Sequence, residues 1–325
     1  MTVETSLTEH ETQRAVVVIG AGRSGTSTLT RGVQSLGVEL GNRLKRGTSK
    51  NPKGFFEDED LLSINKRLHY EFGLQGTGTS LRPIEEQEWQ TRQWRSLHDE
   101  AVRVIRGRFG NAPLWGFKSG GVMRLLPFWE QVFDTLGVEV SYVIAARHPL
   151  SVARSRAKLS EVRGRQEKSD LECLIRVVPY FHLLRSHRFT AVDYDQLMSE
   201  PEQQMYRLAE RLSLPITAEV EREIGVFGKE FVSPELRHHQ GEDPDARARL
   251  NPLIDQVWQW LEGLSSDRIT TDDPELWRDM ARLRDEFLAM GPALRHIDYL
   301  ERRLASPVSK LRWFGRGRRP NRGAA

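Results

Sequence analysis

Cysteine is almost missing from this chain: of 325 residues, one is a cysteine, Cys173. A lone cysteine excludes an internal disulfide and a four-thiolate metal site. It suits a reducing compartment, and a cytoplasmic setting is expected. Long apolar runs are missing too. No stretch approaches the roughly 20 apolar residues of a spanning helix. The opening "MTVETSLTEHETQR" is polar and acid-bearing, without the apolar centre of a secretory signal. Charge of one sign does not dominate, the net being +3, and no nucleic-acid partner is expected. Acids do disappear in one place. Lys310, Arg312, Arg316, Arg318, Arg319 and Arg322 follow one another with no Asp or Glu between them. Residues 306–325 therefore read as a basic, disordered tail, and Trp313 and Phe314 within it favour weak contact with an anionic membrane.

What is present is an ordinary globular composition, 38% hydrophobic and 29% charged, long enough for a large core. "RAVVVIG" (14–20) is short, β-branched and ended by glycine, as a buried strand is. A helix follows over 24–36, with Gly37 as its left-handed stop. "PLWGFK", "VEVSYVIAAR" and "RFTAVDY" are three further strands. Helices are expected between them at 57–73, 85–110, 122–137, 150–159 and 170–187. Alternation of strand and helix predicts a three-layer α/β/α fold around a mostly parallel sheet. Beyond Asp195 the pattern is helical, at 199–214, 217–231, 257–264, 274–290 and 292–305. Leu276, Met280, Leu283 and Phe287 form a packing stripe there. The expected organisation is a flexible start (1–13), an α/β domain (14–240), a helical extension (241–305) and the tail.

The loop between the first strand and its helix is "GAGRSGTS". Glycines let backbone N–H groups approach an anion, and the helix start adds positive potential. Three readings fit. As G-x-G-x-x-G it is a dinucleotide loop, which wants an acid about 20 residues on; Glu39 stands near that spacing, in a short polar context. As a Walker loop it lacks the lysine that reaches the β- and γ-phosphates, and Asp193 is the available magnesium partner. As an Arg-Ser-Gly-Thr loop it sets the forked cation Arg23 among hydroxyls, which suits one compact phosphate without metal. "YVIAARHPLSVARS" adds a second site. Arg147 ends the third strand, and Ser155 comes eight residues later on the next helix. Ligands of open α/β sheets bind at strand C-termini, so both loops open on one edge.

These residues carry a resemblance. "IGAGRSGTSTLTRGVQSLGVELG" looks like the 5′-phosphosulfate loop of the PAPS-dependent sulfotransferases, and "ARHPLSVARS" resembles their 3′-phosphate motif. "NPKGFFED", "LLPFWEQVF", "VDYDQLMSEPE" and "SPELRHH" look like a bacterial, carbohydrate-type branch of that superfamily. The likeness covers residues 14–240. It implies a P-loop-like sulfotransferase fold and transfer of a sulfuryl group from PAPS to a hydroxyl, with a glycan the expected acceptor. It implies that Arg23, Ser24, Gly25, Thr26, Ser27 and Thr28 hold the 5′-phosphosulfate, and that Arg147 and Ser155 hold the 3′-phosphate. No metal is expected.

Family members often place a glutamate base soon after the first helix, and Glu57 matches best. Asp58 and Glu59 are alternatives, and all three also suit a helix N-terminus. Lys118 ends the second strand and would, with Arg23, stabilise developing charge. The family's Lys-Asp-Pro-Arg type turn is here Lys118-Ser119-Gly120-Gly121, with Arg124 available as a replacement cation. His69 is read as a surface-helix histidine. Arg237, His238 and His239 make a poor metal site and a possible cap over the ligand. Rival readings stay open: an ATP-dependent phosphotransferase, a degenerate nucleotide-binding protein, and a nicotinamide or flavin enzyme.

Overall fold

A computed structural model describes residues 12–47, 54–74, 80–90, 94–119, 121–232 and 248–305. Strands β1 (Arg14–Gly20), β2 (Leu114–Lys118), β3 (Glu139–Ala146) and β4 (Arg188–Asp193) form a parallel sheet in the order β2-β1-β3-β4. Val18 lies opposite Lys118 on one side and Val143 on the other. Ala146 lies opposite Asp193. All four strands therefore end on one edge. Lys118 and Arg147 stand there two strand spacings apart, about 10 Å.

The sheet is buried on both faces, which is why β1 is apolar at every position after Arg14. Ala15, Val17 and Ile19 enter one hydrophobic cluster, while Val16 and Val18 enter the other. The second cluster is closed by α1 (Thr26–Ser35), α9 (Pro201–Arg211) and α10 (Ala218–Val226). On the first face lie α2 (Glu59–Glu71), α3 (Arg95–Phe109), α4 (Leu126–Leu136) and α7 (Gln166–Val177). Between β3 and α7 run α5 (Pro149–Ala157), with proline in its first turn, and the single turn α6 (Glu161–Gly164). After β4, α8 (Tyr194–Ser199) leads into α9. The architecture is thus the expected three-layer α/β arrangement.

The C-terminal helices join the same core. In α11 (Pro252–Ser265), Ile254, Val257, Leu261 and Leu264 belong to the cluster that holds Phe189 and Ala191 of β4. The stripe Leu276, Met280, Leu283 and Phe287 of α12 (Pro274–Ala289) is buried there as well. Truncating such a side chain to alanine costs about 2–5 kcal/mol. The last described element is α13 (Gly291–Ala305). Among the described residues, no helix is long and apolar enough to cross a membrane.

Several expected helices differ: 122–137 opens with a 3-10 turn, Val122–Leu125, before α4, and 217–231 ends as a π-helix, Phe227–Phe231, after α10. The segment 85–110 holds a short 3-10 turn, Glu86–Gln90, and then α3. The break lets Trp94 turn inward, and its indole N–H donates to the Trp89 carbonyl at 3.0 Å. The helix expected over 170–187 begins earlier, at Gln166, and ends at Val177, after which a 3-10 turn spans Phe181–Ser186. Pro179 has no N–H to continue the ladder.

Candidate functional site

The loop after β1 is shaped for an anion. Gly25 has φ 85°, and a Cβ on it would lie 2.2 Å from the ring of Tyr194. Only glycine allows this turn against that ring. Helix α1 begins at Thr26 with no side-chain cap and no acid in its first turn. Its leading N–H groups therefore add uncompensated positive potential toward the loop. Ser24 is buried, and its hydroxyl donates to the Ala21 carbonyl, so it shapes the loop from inside. Thr26 is buried, while Ser27 and Thr28 are half-buried along the first turn.

Arg23 has φ 79°, an unusual conformation for a residue with a side chain. It aims the guanidinium toward the β3 side, where Nε donates to Ser155 Oγ at 3.0 Å. Arg147 donates from Nη1 to the Arg23 carbonyl at 3.2 Å. Its guanidinium stacks on Tyr194, 4.2 Å from the ring centroid. Its Nε is buried and has no hydrogen-bond partner. Thus the two loops that lie far apart in sequence meet through Arg23, Arg147 and Ser155. Burial lowers the pKa of Arg23, and the charges of Arg147, Arg156 and Arg163 lower it further. Among the described residues, neither Arg23 nor Arg147 has an acid within ion-pair distance. Arg156 and Arg163 are different: both contact Glu172, at 3.5 and 2.8 Å. Arg156 also donates to the Gly22 carbonyl at 3.2 Å and so braces the loop from below.

The β2 end is built otherwise. Residues 43–45 pair with 57–59 through the Leu44–Asp58 bridge. Lys45 N donates to the Glu57 carbonyl at 2.7 Å and Glu59 N to the Arg43 carbonyl at 2.9 Å. Phe56 just before it has φ 53°, which turns the chain inward. Glu57 then sits between two lysines, Lys118 Nζ at 3.2 Å and Lys45 Nζ at 3.8 Å. Lys118 is 4% exposed. It also donates to the Phe55 carbonyl at 3.0 Å and to Ser27 Oγ at 3.3 Å, so it reaches the first turn of α1. Burial lowers its pKa, and Glu57 opposes that.

The other carboxylates at this turn do different work. Asp58 caps α2 by accepting from Asp60 N and Leu61 N, and it pairs with Arg108 at 2.6 Å. Burial raises its pKa in spite of these partners. Glu59 is half-exposed, 4.0 Å from Arg43. Of the three acids, Glu57 alone contacts Lys118. Asp193 caps α8, accepting from Asp195 N at 3.0 Å and Gln196 N at 2.9 Å. Glu39 makes a lone bridge to Trp115 on the outer side of β2, a strand away from β1 and below the strand ends. The dinucleotide reading loses its ribose partner there.

Two expectations need correction. His69 is largely buried. Burial, then Arg124 and Arg176, push its pKa down to about 3, and its Nε2 has no partner. Its ring lies against Gly121, where an added Cβ would fall 2.7 Å from Cε1. The imidazole therefore fills the space that a side chain at 121 would need. Arg124 does not replace a missing site cation. It is buried with a pKa lowered to about 9, and it donates to the carbonyls of Ser80 and Arg82. Gly120, residues 51–53, and Arg237, His238 and His239 lie outside the described residues, as do 1–11 and 306–325. Lys45 and Tyr194 were missed. Tyr194 follows a strand, which was the available signal; Lys45 sits in a turn-rich basic run with none.

No family model matches the chain, and no curated protein matches it either. Solved structures do. It is similar to a sulfotransferase of Mycobacterium avium, at 14% identity and a TM-score of 0.46, over 79% of this chain and 77% of that one. It is similar to the sulfotransferase domain of the Synechococcus PCC 7002 olefin synthase, at 18% identity and a TM-score of 0.42, over 86% and 97%. A retinol dehydratase solved with androsterone and the inactive cofactor PAP is similar at 12% identity and a TM-score of 0.36, over 80% and 83%.

Proposed function

We propose that the chain is a sulfotransferase that moves a sulfuryl group from PAPS to the hydroxyl of an acceptor, a sugar hydroxyl by its sequence resemblance. The observation that supports it is a two-ended anion site on one sheet edge. Arg23 and Arg147, with no acidic partner among the described residues, mark one end. Lys118, held by Glu57 and touching the first turn of α1, marks the other, about 10 Å away. A nucleotide with a phosphate on each side of its ribose has charge at both ends; the unpartnered Arg147 Nε and the uncapped start of α1 fit such a ligand.

In this reading Arg147 and Ser155 hold the 3′-phosphate, and the Arg23 guanidinium, assigned by the sequence resemblance to the 5′-phosphosulfate, is drawn toward them by its bond to Ser155. The backbone of 23–28, with Ser27 and Thr28, holds the 5′-phosphosulfate. Glu57 takes the proton of the acceptor hydroxyl as its oxygen bonds to sulfur and the bridging S–O bond breaks. Lys118 shares its charge between Glu57 and the leaving oxygen. Lys45 steadies the carboxylate from its other side.

The test compares thermal shifts with adenosine 3′,5′-bisphosphate, with ATP and magnesium, and with NAD. Binding to the folded chain raises its stability by RT ln(1 + [L]/Kd), and the bisphosphate should give the largest shift. A shift with ATP and none with the bisphosphate would sink the proposal. Labelled PAPS incubated with glycans, lipids and small metabolites then finds the acceptor.

A further inference from the structure

A second concavity shares no lining residue with the strand-end site. It has a volume of about 740 Å³, within the range of small-molecule sites. Its walls are the segment from Pro83 to Trp89, the start of α4, the turn after α7, and the facing sides of α12 and α13. The floor is apolar and aromatic. Trp89 and Tyr180 meet edge to face, with centroids 6.2 Å apart. Their polar atoms answer one another: the Trp89 indole N–H donates to Tyr180 OH at 2.9 Å, and that hydroxyl donates to the Ile84 carbonyl at 3.3 Å. The rings therefore offer apolar surface with no unmet polar demand.

The charges at the rim are not equivalent. Glu85 is paired with Arg295 at 2.7 Å, and Glu130 with His187 at 2.6 Å. Glu86 is exposed toward solvent. His182 has its pKa lowered by burial and by Arg284, so it lines the wall as a neutral ring. Arg284 is the cation left over. Its Nε donates to the Pro179 carbonyl at 3.0 Å, and its Nη1 has only the exposed Asp285, at 3.9 Å. The guanidinium is anchored at one nitrogen, and Arg284 lines the cavity.

We propose that this cavity binds a small amphipathic anion, an apolar body that lies on Trp89, Tyr180 and Leu183 with a carboxylate or sulfonate on Arg284. The site is separate from the strand-end site, and its occupancy does not depend on what that site binds. The probe is anilinonaphthalene sulfonate, titrated into the full chain and followed by fluorescence. Binding at one saturable site is expected. Dodecanoate should displace the probe, whereas dodecylammonium and saturating adenosine 3′,5′-bisphosphate should not. Arg284→Gln should weaken probe binding about tenfold, and Leu183→Glu should abolish it, with melting transitions retained. Displacement by the bisphosphate, equal displacement by the two dodecyl compounds, or unchanged affinity in Arg284→Gln would each overturn the proposal.

Discussion

The two ends of the strand edge handle positive charge in opposite ways. At the β2 end a buried lysine has its own counter-ion: Lys118 and Glu57 are 3.2 Å apart. At the β3–β4 end two arginines lie together, and neither has an acid within ion-pair distance among the described residues. A buried ion pair is complete in the resting chain, and removing one partner strands the other. Neighbouring guanidiniums without acids are incomplete, and an external anion relieves their repulsion. The contrast separates chemistry from capture. In the proposed function the β2 end would supply a base and a cation beside the start of α1. The β3–β4 end would attract and orient the ligand.

The strongest way to break this contrast is Glu57→Gln. Removing a general base should lower turnover about 10²- to 10⁴-fold, measured with labelled PAPS. Bisphosphate affinity, measured by calorimetry, should stay almost the same, because the ligand is captured at the other end. The melting temperature should fall, since Lys118 is left buried without its acid. Full turnover in this variant would move the base elsewhere. Loss of bisphosphate binding would show that the two ends do not divide the work.

Arg147→Ala attacks the opposite end. A hydrogen-bonded charge is worth about 2 kcal/mol, so bisphosphate affinity should drop roughly thirtyfold. Once PAPS saturates the variant, turnover should recover most of its value. Tyr194 acts at this end through Arg147, as a platform. Tyr194→Ala removes a cation–π contact of about 1 kcal/mol and should weaken binding about fivefold, whereas Tyr194→Phe keeps the ring and should bind as the parent does. A Phe variant as weak as the Ala variant would assign the effect to the hydroxyl.

The division between the ends was half legible in the sequence. Strand ends are marked by local pattern, so the loop after Gly20, Lys118 and Arg147 can be placed on one edge from the sequence alone. Ser155 is named through the resemblance, and its hydroxyl accepts from Arg23. Direction was not legible. That Arg23 turns toward Ser155 depends on a left-handed φ at Arg23, which no periodicity reveals. The sequence already favours Glu57; what it does not reveal is that Asp58 is drawn to Arg108, 50 residues away. His69 sits on an amphipathic helix whose pattern suggested solvent. It is buried because Gly121 has no side chain to keep it out. What was legible is local pattern; what was not is a left-handed backbone angle and contacts between residues distant in sequence.

The finest test asks whether Asp193, the acid beside Arg147, neutralises it. A counter-ion would have a depressed pKa. Instead burial raises the Asp193 carboxyl from 3.8 to about 6, with Arg147 pulling only weakly the other way. The folded chain therefore keeps a proton between about pH 4 and 6 that the unfolded chain releases, and this group's contribution to stability falls as pH rises through that window. Asp193→Asn keeps the cap, because an asparagine oxygen accepts the same backbone bonds, and it removes the titration. The melting temperature of the variant, taken relative to the parent, should rise from pH 4 to pH 7. Bisphosphate affinity should change less than about twofold, as for a side chain outside the anion contacts. If the relative melting temperature fell with pH while bisphosphate bound much more tightly, Asp193 would be the counter-ion of Arg147. The β3–β4 end would then be as internally paired as the β2 end, and the contrast between them would be gone.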